Sequence, residues 1–267
     1  MRYSFNFSSA VFLLLGVFFV SIASAKGNER WSKPDYLVDS FVEIALNNEY
    51  SRKQSSVRKW VKPIKYYFVH HVSDQGLHEQ LSKLHLEHLT HITGVEIQQV
   101  SKKQNANLLI VFSTESQFEK ELQTEFNIKS QKQRGRLSRN SICLANFTTY
   151  KNGSINKAVV IIPVDRARAH AKLVSCIVEE LTQVMGLPND SEKVFPSVFN
   201  DKSYNDLLSG LDFLLLKMLY HPRVKPGMNK HVLKPVLKKI IEELEGQDII
   251  AQAEKKVMTG GLYPLLN

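Results

Sequence analysis

The chain contains 267 residues, of which 43% are hydrophobic and 23% are charged, and its formal net charge is +9. This balance excludes an intrinsically disordered chain, because enough apolar side chains are present to form a large core. The basic charge fits contact with anionic envelope polymers or lipid head groups, whereas nucleic-acid binding is not expected, because no aromatic residues interleave with the basic cluster QKQRGRLSR (131–139).

The first predicted element is a signal peptide over residues 1–25. Arg2 supplies a positive start, AVFLLLGVFFV (10–20) is an apolar run too short to cross a bilayer, and the small residues at 23–25 form a cleavage site. No later apolar run is long enough to span a membrane, since Lys217 interrupts LDFLLLKMLY. We therefore expect an exported protein, periplasmic or secreted, with no transmembrane segment in the mature chain.

The following elements mix helices and strands in the first half of the chain and become helical in the second half. Apolar residues recur every three or four positions in the predicted helices, which are KPDYLVDSFVEIALNNEY from Pro34, 77–94, ESQFEKELQTEF (115–126), about 166–185, 204–220, 230–246 and 248–258. Short β-branched runs predict strands within 62–70, 95–100, 106–113, 141–150 and 155–163. The last two form a hairpin at Asn152 and Gly153. This order indicates an α+β fold with a mixed or antiparallel sheet.

The mature chain is long enough for one large domain with a helical appendage. We predict an α+β domain over residues 26–228 and a C-terminal helical extension over 229–267. The segment PRVKPG (222–227), which is bounded by two prolines, is the predicted link between the two parts.

The two cysteines, Cys143 and Cys176, are predicted to form a disulfide. An even cysteine count in an exported protein is typical of paired cysteines. In the chain-entropy model, closing the loop between these positions stabilises the fold by roughly 3–4 kcal/mol. The bridge would tie the predicted hairpin to the helix that carries Cys176.

The part of that helix over residues 174–185 separates apolar from polar side chains. At about 100° per residue, one side carries Val174, Ile177, Val178, Leu181, Val184 and Met185. The other side carries Cys176, Glu179, Glu180 and Gln183. A solvated polar face is the ordinary interpretation of such a pattern. A disulfide from Cys176 would instead bring a strand against this face and make it the wall of a cleft.

Two adjacent carboxylates in such a cleft could serve in acid–base catalysis or could bind a metal ion. Like charges and partial desolvation raise the pKa of a carboxyl group, which suits Glu179 or Glu180 to general acid or base catalysis. Their oxygens, together with the Gln183 amide, also match the ligands that Ca²⁺ and Mg²⁺ prefer, whereas zinc prefers nitrogen. A solvated face, a binding cleft and a metal site are therefore the three alternatives, and the cofactor is left open.

Several short motifs in the chain occur in an order that is typical of one family. They are IALNNEY, VRKWVKPI (57–64), CIVEELTQVMGLPND (176–190), SVFND (197–201) and LDFLLLKMLYHPRVKPGM (211–228). Over roughly residues 35 to 230, the chain resembles a bacterial exported family known as domain of unknown function 2927. That family is similar in arrangement to the zincin metallopeptidases. The resemblance implies a zincin-like fold, with a sheet, a helix at the position of the H-E-x-x-H motif, and a helical C-terminal part.

The resemblance also implies roles for the residues of the E-E-L-T-Q stretch. Glu180 stands at the position of the zincin catalytic glutamate, and Gly186 matches the glycine that follows the motif. Glu179 and Gln183 stand where the two zinc-binding histidines would be, so the motif is degenerate and tight zinc binding is not expected. The candidate binding set is completed by Asn189, at the position of a third ligand in some zincins, by Asp190 beside it, and by Asp201 of SVFND.

Histidines are concentrated in and just before the predicted helix over 77–94. They are His70, His71, His78, His85, His88 and His91. No two of those in the helix are four residues apart, which is the spacing of zinc-binding pairs. We interpret them as solvated or packing histidines, with metal capture or a pH response as the alternative.

These observations lead to a predicted function for the cleft. We expect an exported, zincin-like protein that binds an extended peptide or a cell-envelope polymer around Glu180, without ordinary zinc hydrolysis. One alternative is an active, peptidase-like hydrolase with Glu180 as general base, and a second is a structural or assembly factor of the cell envelope. No G-x-S-x-G, P-loop or G-x-G-x-x-G stretch occurs, so a serine-hydrolase elbow and a nucleotide site are not supported.

Overall fold

The computed structural model describes residues 30–47 and 56–266, so the predicted signal peptide at 1–25 lies outside the described residues. The five strands of the described residues are β1 (Ile64–His70), β2 (Ile97–Gln99), β3 (Leu108–Ser113), β4 (Leu144–Thr149) and β5 (Ile155–Pro163). The α-helices of the same residues are α1 (Pro34–Leu46), α2 (Gln75–Thr93), α3 (Phe118–Thr124), α4 (Gln131–Asn140), α5 (Val164–Ala169), α6 (Leu173–Gln183), α7 (Gly210–Leu219), α8 (Lys230–Gly246), α9 (Ile249–Val257) and α10 (Tyr263–Leu266).

The strands form one mixed sheet in the order β2-β1-β3-β5-β4. The first four strands in this order are parallel, and β4 runs antiparallel to β5. The β4–β5 hairpin is the one predicted at Asn152 and Gly153, and Gly153 has a positive φ of 87°, which its turn accommodates without strain. The predicted α+β class with a mixed sheet is therefore confirmed, and β4 lies at one edge of the sheet.

Helices cover both faces of the sheet, because residues of its central strands are apolar on both sides. In β5, Val160 and Ile162 belong to the main core, which also contains apolar side chains of α1, α2, α6, α7, α8 and α9. Ile161, between them in the sequence, belongs to a smaller core with Phe118 of α3 and Leu137 of α4. The edge strand β4 is consequently flanked by α6 on one side and by α4 on the other.

The prediction of a single helix over residues 166–185 is wrong, because the chain forms two helices there. Ala171 has a positive φ of 55°, and the Lys172 N–H donates to Ala167 O at 2.7 Å, so the chain turns between α5 and α6. No glycine or proline marks this break, and the sequence pattern therefore missed it. The break frees α6 to take its own direction beside β4.

Two further helices differ from their predictions because of capping residues. The basic segment over 131–139, for which we predicted no element, lies in α4, and Ser130 caps this helix by accepting an N–H from its first turn at 3.3 Å. The helix predicted over 204–220 begins only at α7, because Ser209 and Asp212 form a capping box that fixes its start. The residues before Ser209 remain an irregular segment.

The C-terminal helices pack on the rest of the fold. α8 lies against α1, and α9 lies against α7, where Glu254 accepts the N–H of Gly210 at 2.8 Å. Leu237 and Ile240 of α8 are completely buried in the main core. None of the helices in the described residues combines the length and apolar character that a membrane crossing requires.

Candidate functional site

A disulfide joins α6 to the start of β4, as predicted. Cys143 and Cys176 are bonded at an S–S distance of 2.06 Å, and their Cα atoms are 5.8 Å apart. Cys176 is buried, whereas Cys143 is half-buried at the surface of the sheet edge. The bridge therefore holds the polar side of α6 against the edge strand, which is the arrangement on which the cleft hypothesis depended.

The outer edge of β4 presents backbone hydrogen-bonding groups beside α6. Ala158 of β5, the partner of Phe147, donates its N–H to Asn107 O on the β3 side at 2.8 Å. Phe147 and Ala158 therefore form a pair without mutual hydrogen bonds, and Asn146 Oδ1 accepts the Phe147 N–H at 2.9 Å. By the alternation of antiparallel pairs, Ala145 directs its N–H and C=O to the same outer edge.

A cleft of about 720 Å³ lies along this edge. Its walls are β4, α4, the polar side of α6 and the irregular segment 188–205. The disulfide joins β4 and α6 near their starts. Arg58 lies near the far ends of both elements, because its guanidinium is 5.7 Å from the Phe147 ring and its carbonyl lies against Gly186. The two elements thus run side by side in the same direction. α4 directly precedes β4 in the chain and lies at the disulfide end.

The end of the cleft beside the C-terminal half of α6 is acidic. It is lined by Glu179, Glu180, Asp190 and Asp201, and Gln183 Nε2 donates to Asp190 Oδ1 at 2.9 Å. Burial raises the pKa of Glu179 well above its ordinary value, and the neighbouring carboxylates, Asp190 first, raise it further. The structure therefore brings together Glu179, Glu180, Gln183, Asp190 and Asp201 among the predicted site residues.

Asn189, the sixth predicted binding residue, lies outside the cleft wall. Its side chain is buried, and its Nδ2 donates to Glu43 O of α1 at 3.0 Å. Ser191 Oγ donates to Glu43 Oε1 at 2.9 Å, so both residues fasten the segment after α6 to α1. Asn189 consequently positions the cleft wall and does not contact the cleft volume.

Sequence reasoning missed the buried carboxylate that holds the remaining cleft segment. Asp212 of α7 accepts hydrogen bonds from Ser197 Oγ at 2.6 Å, from the Val198 N–H at 3.1 Å, and from Ser209. Burial raises the pKa of Asp212 to about 6, although these hydrogen bonds oppose the shift. The S-x-x-D spacing of a capping box was the signal that could have revealed this anchor.

The opposite end of the cleft, at α4, was also missed. Gln133, Arg136 and Asn140 of α4 line it, together with Phe126 and Ile128, which precede the helix. The three polar residues recur after three and four positions, so they share one helix face. The sequence revealed only a basic cluster there, because nothing in it indicated that α4 would lie against the start of β4.

One protein family matches most of the chain. The family described as a protein of unknown function (DUF2927) matches residues 34–239. The chain belongs to the DUF2927 family. No curated protein matches the sequence.

In this DUF2927 member, the E-E-L-T-Q stretch does not fit a zinc site of the zincin type. Glu179 and Gln183 offer oxygen and amide groups where such a site needs imidazole nitrogens, and the Gln183 amide already donates to Asp190. Across residues 30–47 and 56–266, no group of three or more His, Cys, Asp or Glu side chains is placed to hold a metal ion.

Two histidines of α2 are buried away from the cleft, where His85 contacts Thr182 of α6 and His88 lies against Gly260 and Gly261. Thr182 Oγ1 donates its proton to Val178 O. The Thr182 hydroxyl oxygen therefore accepts the Nε2–H of His85 at 2.9 Å, which fixes the tautomer of the neutral His85 ring. Burial first, and then the charge of a neighbouring histidine, lower the pKa of His85 to about 3 and the pKa of His88 to about 4. They are packing histidines of the main core.

Proposed function

We propose that this DUF2927 member is an exported, zincin-like protein that binds an extended peptide segment, free or within a cell-envelope polymer, in the cleft around Glu180. The observation that carries the proposal is the outer edge of β4, which borders the cleft and presents the N–H and C=O of Ala145 to it. An extended ligand can pair with such an edge as an additional strand. Its backbone then supplies affinity, and its side chains reach the cleft walls.

The arrangement of α6 supports a zincin-like interpretation of the cleft. α6 carries Glu180 at the position of the zincin glutamate and runs alongside β4, and the disulfide between Cys143 and Cys176 holds the two elements together. Glu180 is only 5% exposed and still lines the cleft, so it lies at the floor of the cleft. A bound strand would therefore pass over Glu180.

An aromatic side chain at the rim also supports a peptide ligand. Tyr204 is 99% exposed and lies between Ser203 and Asn205, both of which line the cleft. Exposed aromatic side chains supply large contact areas at binding surfaces, because they have few rotatable bonds. We expect Tyr204 to contact a strand that lies on β4.

The decisive experiment removes the backbone donor that the ligand would use. Binding hexapeptides are selected from a random library on the immobilised protein. Fluorescence anisotropy then measures the affinity of the enriched peptides for the wild type, for Ala145→Pro and for a control variant. Ala145→Pro removes the N–H at the outer edge while leaving the β4–β5 hydrogen bonds in place. We expect it to weaken binding at least tenfold, and N-methylation of alternate peptide residues to do the same.

The matched control lies at the opposite edge of the sheet. In β2, the Val100 N–H donates to Tyr66 O, and the Ile64 N–H donates to Glu96 O, so alternation directs the Gln99 N–H outward. Gln99→Pro therefore makes the same backbone change away from the cleft and should leave affinity unchanged. Full binding to Ala145→Pro, with its disulfide and circular dichroism intact, would refute binding at the β4 edge.

A hydrolase is the second candidate, and the raised pKa of Glu179 favours it. Burial and neighbouring carboxylates favour the protonated form of Glu179 beside Glu180, and a pair of carboxyl groups with different proton affinities suits acid–base chemistry. Glu180 would take a proton from the water that attacks a peptide carbonyl, and protonated Glu179 would give its proton to the leaving amine as the C–N bond breaks. This candidate predicts that selected peptides and peptidoglycan fragments are cleaved, and that Glu180→Gln abolishes cleavage without abolishing binding.

Mass spectrometry of the incubated peptides separates the two candidates, with the metal content of the purified protein measured in parallel. Peptides that bind and remain intact with every supplied divalent metal would eliminate the hydrolase. Cleavage by the wild type that Glu180→Gln abolishes would eliminate a binding-only function. Cleavage that persists in the variant would assign hydrolysis to another group.

A further inference from the structure

The α4 end of the cleft has the chemistry of a carboxylate subsite. Gln133, Arg136 and Asn140 share one helix face and line the cleft there. An arginine offers a planar fork of N–H donors that matches a carboxylate, and the two side-chain amides can donate beside it. Three donors of this kind on one face are arranged to bind an anionic group of a ligand.

Arg136 is the arginine of α4 whose guanidinium is available to a ligand. Within the described residues, the arginines that form ion pairs are Arg166, Arg168 and Arg223. Arg134, two residues before Arg136, donates its Nη1 to two backbone carbonyls and so closes the turn before α4. Arg136 is exposed and lines the cleft, and in this part of the chain no carboxylate neutralises it.

An apolar surface lies next to Arg136 in the same end of the cleft. Phe126 and Ile128 are half-buried, line the cleft, and pack on the smaller core, to which the lining residue Leu137 also belongs. Ile142, also half-buried, lines the cleft just before β4. An arginine beside half-buried apolar side chains suits a carboxylate that is carried next to an apolar side chain.

From this juxtaposition we infer that the cleft binds the free carboxyl terminus of a peptide whose last side chain is apolar. The terminal carboxylate binds Arg136, with Gln133 and Asn140 beside it, and the last side chain packs on Phe126 and Ile128. This inference rests on the proposed function, because it places the rest of the peptide along β4.

Strand pairing and charge favour the same orientation of this peptide. With its carboxyl terminus at α4, beside the start of β4, the peptide runs antiparallel to β4, which is the slightly more stable pairing. Its preceding residues then cross the acidic end of the cleft, where Asp201 attracts a cationic side chain or a free amine. At about 3.4 Å per residue, the five lining residues over 143–147 match a ligand of about five or six residues.

The test compares two matched libraries of N-terminally labelled hexapeptides, one ending in a carboxylate and the other in a carboxamide. We expect the wild type to bind the enriched carboxylate peptides at least tenfold more tightly than their carboxamides. Arg136→Gln should lose this difference and bind both forms weakly. Arg139→Gln is the matched control, because Arg139 is an exposed arginine of the same helix that does not line the cleft, and it should keep the preference.

The outcomes separate this inference from the proposed function. Equal binding of carboxylates and carboxamides, with sensitivity to Ala145→Pro retained, would refute the carboxyl-terminal subsite and leave strand binding intact. Loss of the preference on replacing internal Asp or Glu of the peptide by Asn or Gln would assign Arg136 to a side-chain carboxylate and refute the inference. A carboxylate preference that needs Arg136 and is insensitive to Ala145→Pro and to N-methylation would retain the subsite and refute pairing with β4.

Discussion

The two sides of α6 both bury ionisable groups, and they do so with different consequences. On the core side, His85 is 1% exposed, its Nε2–H is accepted by Thr182, and burial lowers its pKa to about 3. On the cleft side, Glu179 is half-buried, and burial and neighbouring carboxylates raise its pKa. Burial thus favours the neutral form of both groups. Only the group on the cleft side borders a volume that a ligand can enter.

This difference shows how far a perturbed pKa can identify a functional site. A shifted pKa reports desolvation, and desolvation occurs both in a sealed core and at the floor of a cleft. The distinguishing features here are the open volume and the unpaired strand edge beside Glu179.

Removing the disulfide should have the largest effect, because it ties the cleft side of α6 to β4. The double variant Cys143→Ala, Cys176→Ala loses a cross-link that spans 33 residues, and we expect the free energy of unfolding to fall by about 4 kcal/mol. Urea denaturation measures this loss. The core side should be unaffected, so the His85 ring signals in NMR spectra should persist.

Reduction provides the control for the same prediction. Treating the wild type with a phosphine reductant should reproduce the loss of stability, and the double variant should not respond to the reductant. A loss below about 1 kcal/mol in both experiments would mean that packing alone holds β4 against α6.

The two sides of α6 were predictable from the sequence to different degrees. The helical period assigned Ile177, Val178 and Leu181 to the core, and all three are buried there. The cysteine count predicted the bridge, which brought a strand to the polar side. The sequence did not indicate that Asn189 would bind Glu43 O, because its spacing from Gln183 matches a ligand position as well as a structural one.

The rest of the cleft depended on tertiary contacts that no local pattern encodes. The sequence did not predict that α4 would form a wall of the cleft, because Arg136 and its neighbours show only a basic composition. Similarly, Asp212 looked like part of an apolar helix, whereas it binds Ser197, which is 15 residues earlier in the chain. Local periodicity thus predicts which face of an element is buried, and it does not predict which distant element will cover the other face.

Acidification should weaken the fold at the buried histidines of α2, of which His85 contacts the core side of α6. His85 and His88 remain neutral in the folded state down to about pH 3 and 4, whereas in the unfolded state they bind protons below about pH 6.5. Since the unfolded state binds more protons, stability falls as the pH decreases from 6.5. At pH 5.5 the loss should be about 1.4 kcal/mol per histidine, as measured by urea denaturation between pH 5 and 8.

Single substitutions assign this pH dependence to its source. His85→Gln keeps a donor for Thr182 and should remove about 1.4 kcal/mol of the loss of stability between pH 8 and pH 5.5, whatever its effect on stability at neutral pH. His231→Gln changes an exposed histidine of α8 and should leave the slope as in the wild type. An unchanged slope in His85→Gln would show that other groups control acid stability.

Neutralising the cleft side should have the smallest effect, and its sign should be opposite. In the folded state the pKa of Glu179 is raised by burial and by the charges of Asp190 and Glu180, so ionised Glu179 destabilises the fold at high pH. Glu179→Gln should therefore increase the free energy of unfolding at pH 8 by about 1 kcal/mol, and the gain should shrink as the pH falls through the pKa of Glu179. Glu96→Gln, which changes an exposed carboxylate beside β2, should produce no such pH-dependent gain.

Stabilisation by Glu179→Gln at high pH would mean that the cleft retains a carboxylate at a cost to folding, as expected of a residue kept for binding or catalysis. Destabilisation at every pH would make Glu179 a structural residue and remove the electrostatic contrast between the two sides of α6.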